Sequence, residues 1–170
     1  IFRMIIRDVT PTEGSIMIGE WDLASLAKSK LPHLRRKVGV VFQDLKLLMD
    51  RSVFENVALA LEVAGMPATK IKKRVEEVLK MVGLDSHHYK FPLELSGGEL
   101  QRTAIARALI SEPEILLADE PTGNLDLATS WEIIKLLQDL NKKGTTVVMA
   151  THNIDIVNSL GKRVVALEKG

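Results

Sequence analysis

The sequence predicts an α/β fold in which a parallel sheet carries a helix-rich insert. Three largely apolar runs, at 38–42, 115–118 and 145–150, have the length and the β-branched content of buried strands. Segments of helical periodicity alternate with these runs, and that alternation is typical of a parallel sheet packed against helices. At 50–95 two helical patterns follow each other without a strand between them. We therefore expect one domain over 1–170, with a helical subdomain at about 50–95.

The N-terminal part predicts short elements. Apolar residues recur at helical spacing over 1–9, and a turn containing proline and glycine follows at 10–14. A short apolar run at 15–19 is expected to be a strand. The basic cluster at 35–37 is better explained as the solvated end of a helix than as a binding patch, because the charges of the chain nearly balance.

The insert begins with a clear helix start. Ser52 and Glu55 have the spacing of a capping box, which predicts a helix from this point to about residue 64. A second helix is expected to begin at Pro67 and to end at Gly83, because glycine readily adopts the left-handed conformation that follows a helix. Its apolar residues fall on one face and predict the side that is buried: Ile71, Val75, Val78 and Leu79.

The remaining elements follow from the same local rules. Ser96 is expected to cap a helix that continues to about residue 109. Further helices are predicted at 128–142 and 154–160, and the expected buried strand at 145–150 lies between them. A last apolar run at 163–167 predicts one more strand.

Composition excludes several classes of protein. The 170 residues carry a net charge of +1, so no strong positive field points to nucleic acid. The chain has no cysteine, which excludes disulfides and cysteine-based zinc sites. No apolar run approaches the roughly 18 residues that span a bilayer, so we expect any membrane role to depend on a partner.

The most specific motif is Leu95-Ser96-Gly97-Gly98-Glu99 at the start of a predicted helix. A helix N-terminus offers unpaired N–H groups and partial positive charge, and glycine lets the backbone approach a ligand closely. Ser96 and Glu99 alone could be a simple capping box. Because two glycines in the first turn weaken a helix, phosphate contact is the stronger interpretation.

A pair of acids ends the apolar strand that begins at residue 115. Asp119 and Glu120 would lie at the tip of a buried strand, where a metal-bound nucleotide can sit in α/β proteins. Gln43 follows the strand at 38–42 and could add an amide oxygen to the metal shell. Taken alone, the two acids could simply be solvated at a strand end, and Gln43 an ordinary surface residue.

These motifs, in this order, resemble the ATP-binding subunits of ABC transporters. The resemblance covers essentially the whole chain and implies a P-loop NTPase-like parallel sheet with a helical subdomain, and ATP and Mg²⁺ as cofactors. The phosphate loop of such proteins, G-x-x-x-x-G-K-[ST], does not occur in the 170 residues. By the resemblance, the chain starts just past that loop, and we expect it not to hydrolyse ATP by itself.

The resemblance also implies which residues contact the nucleotide. Ser96, Gly97 and Gly98 would bind the γ-phosphate of an ATP molecule held by the opposite subunit of a homodimer. Asp119 would be the magnesium-associated acid, and Gln43 would complete the metal shell while linking the nucleotide to the helical subdomain.

Three further residues are implied in turnover. Glu120 would be the general base that activates water, and His152, which follows the strand at 145–150, would contact the γ-phosphate or the attacking water. Asp126 would support the opposing site across the dimer interface. Asp126 also has the position of a cap for the helix at 128–142, and it can serve both purposes.

Within the superfamily, the run at 117–126 is similar to a branch that covers lipoprotein extraction, macrolide-type efflux and bacterial cell division. The stretches 34–44 and 52–62 look most like the cell-division subunits. That branch implies an integral membrane partner, docked on the segment at 45–51, and a location at the cytoplasmic face of the inner or plasma membrane.

Other interpretations remain open from the sequence. A lipoprotein-releasing or efflux ATPase is the nearest alternative, and a truncated interaction module without ATPase activity is a second. A DNA-repair or chromosome-organising ATPase is disfavoured, because the stretch between Gln43 and Ser96 is short and contains no sustained heptads.

Overall fold

The computed structural model describes residues 1–168 of the chain. Its N-terminal part contains one antiparallel strand pair, which is joined at Gly19 in a left-handed conformation. A single 3₁₀ turn, Lys28–Lys30, precedes the helix that leads into the main sheet. The elements of this part are helix α1 (Phe2–Ile5), strands β1 (Met17–Ile18) and β2 (Trp21–Asp22), and helix α2 (Leu31–Lys37).

Three parallel strands form the main sheet. They are β3 (Val38–Val41), β4 (Ile115–Asp119) and β5 (Thr146–Ala150), with β4 in the centre. Each strand is connected to the next through helices, as the right-handed crossovers of parallel sheets require. The predicted α/β fold with a parallel sheet is therefore confirmed.

Helices α3 (Val53–Val63), α4 (Ala68–Val82) and α5 (Gly97–Leu109) follow β3 and pack on one another. Ser52 caps α3 through the predicted capping box, and Gly83 ends α4 with a left-handed φ of 74°. Four apolar residues of α4 were predicted to face inward, and all are buried: Ile71, Val75, Val78 and Leu79.

Two more helices flank β5. Helix α6 (Leu127–Lys142) begins at the cap residue Asp126, and α7 (Ile154–Leu160) begins at the cap residue Asn153. The bounds of α7 are those that the sequence predicts.

The central strand β4 separates two apolar clusters. Leu116 and Ala118 belong to the larger cluster, which β4 shares with helices α3 to α6. Leu117 points to the other face and packs with Leu23, Leu34 and Val38. All three β4 residues named here are fully buried, as a strand covered on both faces should be.

Three sequence predictions are wrong in part. Strand β5 was expected to be buried, but it forms an edge of the described sheet, and Val148 is 41% exposed. The expected strand at 163–167 does not form: these residues have no regular secondary structure and pair with no strand in the part of the chain that the structure describes. The first helix ends at Ile5 rather than near residue 9, because Arg7 takes a left-handed φ of 56°.

In the described part of the chain, no helix combines the length and the apolar character that crossing a membrane requires.

Candidate nucleotide site

The polar residues predicted at strand ends share one edge of the sheet. Val41 of β3 pairs with Ala118 of β4, and Asp119 pairs with Ala150 of β5. Because the strands are parallel, the residues that follow them leave the sheet on the same side. The residues that this register brings to the carboxyl edge of the sheet are Gln43, Asp119, Glu120 and His152.

The backbone of Glu120 is held in a strained conformation. Its φ is 46°, in the left-handed region that a non-glycine residue seldom adopts. The Glu120 N–H donates to the carbonyl of Ala150 (2.9 Å), and its own carbonyl accepts from the Gly123 N–H (3.1 Å). These bonds stabilise the sharp turn that redirects the chain after β4, and strain of this kind is concentrated at functional sites.

The Glu120 carboxylate faces the segment after β5. Its Oε1 accepts hydrogen bonds from the backbone N–H of His152 (3.0 Å) and contacts the His152 Nδ1 (2.7 Å), while Oε2 accepts from the Thr151 hydroxyl (3.3 Å). A carboxylate that is ionised can only accept, and in that state the proton of this contact lies on His152 Nδ1. The Glu120 side chain is 17% exposed and that of His152 is 84% exposed. The histidine therefore orients the acid and still reaches solvent.

The donor set at this edge fits Mg²⁺. Asp119 supplies a half-buried carboxylate at the end of β4, and Gln43 supplies an exposed amide oxygen. Within residues 1–168, no group of three or more His, Asp or Glu side chains could form a complete metal cage. Magnesium binds in proteins through one or two carboxylates, with water and substrate phosphates as the other ligands. Asp119 matches the carboxylate of that pattern, and Gln43 offers a neutral amide oxygen in addition.

The N-terminus of α5 is stabilised by a capping box. The Ser96 hydroxyl accepts from the Glu99 N–H (3.4 Å), and Glu99 Oε2 accepts from the Ser96 N–H (2.7 Å) and hydroxyl (2.8 Å). The pKa of Glu99 is lowered to about 2, chiefly by the hydrogen bond from the Ser96 backbone N–H and secondly by the bond from the Ser96 hydroxyl. The carboxylate is therefore charged under all ordinary conditions.

His87 is a contact of this turn that sequence patterns did not reveal. Its Nε2 lies 2.6 Å from Glu99 Oε1, and its Nδ1 lies 3.1 Å from the Ser86 hydroxyl. The His87 side chain is 16% exposed, so the contact is largely shielded from water. No local pattern connects residues twelve positions apart in different elements, and only the fold brings them together.

Gly98 of α5 is closely packed against α6, and Gly97 is packed less tightly against Leu125. A Cβ on Gly98 would lie 2.6 Å from Cγ2 of Thr129, and one on Gly97 would lie 3.2 Å from Cδ2 of Leu125. The first distance is far below normal contact. The close approach of α5 to the start of α6 is therefore one reason for glycine at these two positions, and contact with a phosphate would be a second reason.

Asp126 caps helix α6. Its carboxylate accepts hydrogen bonds from the Thr129 hydroxyl (2.6 Å) and the Thr129 N–H (3.0 Å). These two bonds lower the pKa of Asp126, and the bond from the Thr129 hydroxyl has the larger effect. The capping role that the sequence allowed for Asp126 is therefore present.

A cleft of about 320 Å³ lies between the start of α5 and the start of α6. Arg102 crosses it, because its guanidinium donates to the carbonyl of Val82 (3.0 Å) and to the carboxylate of Glu132 (2.8 Å). None of the sheet-edge residues lines this cleft. The candidate residues thus form two groups, and those in the cleft are Ser96, Gly97, Gly98 and Asp126.

The fold is that of an ABC-type ATP-binding cassette. The family model described as "ABC transporter" matches residues 1–123, and the chain belongs to this family. It is similar to the cell division ATP-binding protein FtsE of Bacillus subtilis, with 55% identity over 99% of this chain and 74% of the relative. FtsE of Escherichia coli is 44% identical over 100% of this chain and 77% of the relative.

Solved structures agree with this assignment. A dimeric post-hydrolysis state of the ATP-binding cassette MJ0796, bound to ADP and Pi, matches with a TM-score of 0.79 and 39% identity, over 91% of this chain and 69% of that one. CbiO1 of Clostridium perfringens, part of the ABC transporter complex cbiONQ, matches with a TM-score of 0.83 and 35% identity, over 92% and 62%. The chain therefore has the fold of an ABC ATPase and is FtsE-like in sequence.

Proposed function

We propose that this chain belongs to the ATP-hydrolysing subunit of a bacterial ABC-type membrane complex that acts in cell division. Its similarity to the FtsE proteins supports a role in cell division. Its membership of the ABC transporter family supports ATP hydrolysis. The 170 residues contain no phosphate-loop motif, so the proposal assigns hydrolysis to the complete subunit and not to this chain alone.

The observation that carries the proposal is the geometry of Glu120. The turn after β4 presents its carboxylate at the carboxyl edge of the sheet, and His152 and Thr151 orient it there. In this arrangement Glu120 would accept a proton from the attacking water, and Asp119 and Gln43 would be the residues that hold Mg²⁺. When bound, Mg²⁺ neutralises the charge of the phosphate oxygens.

The separation of the two groups of residues supports a dimer. Ser96, Gly97 and Gly98 line a cleft that includes none of the sheet-edge residues of the same chain. Two copies arranged head to tail would bring the N–H groups of one α5 to the nucleotide on the other copy's sheet edge. Asp126, at the rim of the same cleft, would face the opposing site. The likeness to a dimeric cassette supports this arrangement.

The segment at 45–51 is the proposed docking site of the membrane partner. It has no regular secondary structure, and its apolar residues Leu48 (38%) and Met49 (50%) are exposed. The segment lies between β3 and α3 and would connect Gln43 to a helical subdomain at about 50–95 within a single domain over 1–170. By resemblance, the partner is an FtsX-like integral membrane protein, and the subunit sits at the cytoplasmic face of the membrane.

A lipoprotein-releasing or efflux subunit remains the alternative within the same class. The two possibilities differ in the membrane protein that binds the docking segment. Co-purification of the complete subunit from membranes, followed by identification of the integral membrane protein bound to it, decides between them.

The test of the catalytic proposal is Glu120→Gln in the complete subunit. The amide keeps the shape of the side chain but cannot accept a proton, so phosphate release should fall by about 10²-fold or more. Because ATP is still bound, size-exclusion chromatography in MgATP should show an accumulated dimer. Phosphate release from the 170-residue chain alone should be undetectable.

The matched control is Glu114→Gln. Glu114 lies just before the same strand, at its opposite end, where it pairs with Lys37 on the surface. This variant should hydrolyse ATP like the wild type and should not accumulate the dimer. Wild-type turnover in Glu120→Gln would remove Glu120 from the mechanism.

A further inference from the structure

Arg107 contacts the segment that follows Gln43. Its guanidinium donates two hydrogen bonds, one to the carbonyl of Leu45 and one to that of Lys46, each 2.5 Å long. Arg107 lies near the C-terminal end of α5, more than sixty positions away in the sequence. Burial lowers the pKa of Arg107, yet a guanidinium remains protonated in proteins, so both bonds are charge-assisted.

The backbone that Arg107 holds is strained. Leu45 and Lys46 both have left-handed φ values, 56° and 51°, which are costly for side chains with a Cβ. The Leu45 N–H donates to the carbonyl of Phe42 (3.0 Å) and closes a turn around Gln43. Two adjacent strained residues persist only if contacts from outside the turn compensate for them, and the bonds from Arg107 do so.

The other end of the segment is held separately. Asn56 of α3 is fully buried, and its side chain bonds both the N–H (2.8 Å) and the carbonyl (2.9 Å) of Leu48 and also the carbonyl of Arg51 (3.0 Å). Asn56 therefore fixes residues 48–51 to α3. Arg107 supplies the side-chain hydrogen bonds that tie the Gln43 end of the segment to α5, and Leu45 packs against the core cluster that α5 shares.

We propose that Arg107 is a positioning residue that fixes Gln43 relative to the α5 helix and so couples the metal-side glutamine to the phosphate-binding turn. Gly97 and Arg107 lie on one continuous helix, about 15 Å apart along its axis. Because the helix is rigid, a displacement of residues 44–46 moves the turn at Ser96. A displacement of the turn at Ser96 likewise moves Gln43. This inference rests on the nucleotide roles proposed above for Gln43 and Ser96.

The experiment compares Arg107→Met and Arg107→Lys with the control Arg74→Met in the complete subunit. Arg74 also donates from a helix to backbone carbonyls, those of Leu109 and Ile110, but it forms no hydrogen bond to the segment at 45–51. Two quantities are measured for each variant. They are the hydrogen exchange of the amides at 43–48 and the Mg²⁺ concentration that gives half-maximal ATPase activity.

Arg107→Met should accelerate exchange at 43–48 by about tenfold or more, since two hydrogen bonds to a charged donor are lost. The half-maximal Mg²⁺ concentration should rise by about threefold or more, because Gln43 is no longer held at the metal. Arg107→Lys keeps the charge but not the forked geometry, and should give intermediate values. Arg74→Met should change neither quantity.

Wild-type exchange at 43–48 in both Arg107 variants would overturn the proposal. An equal rise in the Mg²⁺ requirement for Arg74→Met would also overturn it, because the effect would then be general. Absence of any Mg²⁺-dependent activity in the wild-type subunit would instead refute the proposed ATPase. In that case the exchange measurement still decides whether Arg107 holds the turn. If Arg107→Met does not fold, the same measurement on Arg107→Lys provides the test.

Discussion

The side chain of Glu120 owes its orientation to the backbone conformation of the residue itself. The sequence predicts an acid at the end of a buried strand, but it does not predict the left-handed backbone that aims the carboxylate at residues 151 and 152. A β-strand would place this side chain on one face of the sheet. The turn instead directs it toward the neighbouring strand end, where His152 contacts it.

Gly98 is the residue whose substitution we expect to be most informative about packing. In Gly98→Ala the new Cβ would lie 2.6 Å from Cγ2 of Thr129, so either the Thr129 side chain or the start of α5 must shift. Overpacking of this kind costs about 1–3 kcal/mol. Urea denaturation should show a decrease of that size in the free energy of unfolding.

The double variant Gly98→Ala with Thr129→Ser removes the clashing methyl group and keeps the hydroxyl that bonds Asp126. It should recover most of the lost stability. If the double variant is as unstable as the single one, the clash with Thr129 is not the cause.

At the scale of elements, helix ends follow local sequence rules closely. Four helices begin at a side chain that accepts a hydrogen bond from the backbone of the first turn: Ser52, Ser96, Asp126 and Asn153. Such caps depend on residues within one turn of each other, so the sequence alone can predict them.

The cap of α5 should make stability dependent on pH. Ser96→Ala removes the hydroxyl that bonds Glu99 and should lower the free energy of unfolding by about 1 kcal/mol near neutral pH. The folded-state pKa of Glu99, about 2, lies below its ordinary value of 4.5. Stability from the ionised Glu99 is therefore complete above about 4.5 and is lost as the pH falls toward about 2.

Urea denaturation at several pH values measures this effect. The difference between the wild type and Ser96→Ala should shrink as the pH falls through that window. Ser159→Ala, at an exposed position of α7 without a capping role, should differ little from the wild type at any pH. A difference for Ser96→Ala that does not vary with pH would show that the Glu99 carboxylate is not the partner that matters.

At the scale of the whole molecule, position in the sheet decides how much a strand contributes to stability. Strands β4 and β5 have similar apolar sequences, but β4 is central and covered on both faces, whereas β5 is an edge of the described sheet. Leu117 is fully buried between the N-terminal elements and the sheet, and Val148 is 41% exposed.

Leu117→Ala should therefore destabilise the chain by about 3 kcal/mol, because it leaves a cavity in a packed core. Val148→Ala should cost less than about 1 kcal/mol, since little apolar area is lost from the interior. Thermal or urea denaturation of the two variants gives the comparison. Equal losses would mean that β5 is as well covered as β4, contrary to the structure.

The sequence by itself determined the α/β class, the order of most elements and most helix caps, because these depend on periodicity and on contacts within a few residues. The candidate residues came from short motifs and from their resemblance to a family. Gln43, Asp119, Glu120 and His152 could be placed on one sheet edge once the strands were taken as parallel. The tertiary structure alone decided which strand is central and that 163–167 remains unpaired.

Contacts between distant positions also required the tertiary structure. Two examples are the His87–Glu99 pair and the bonds from Arg107 to the turn after Gln43. Each joins residues from different elements, and no periodic pattern marks either partner. The physical reason is that such contacts arise from the packing of whole helices and strands, whose relative positions are not encoded in any short stretch of sequence.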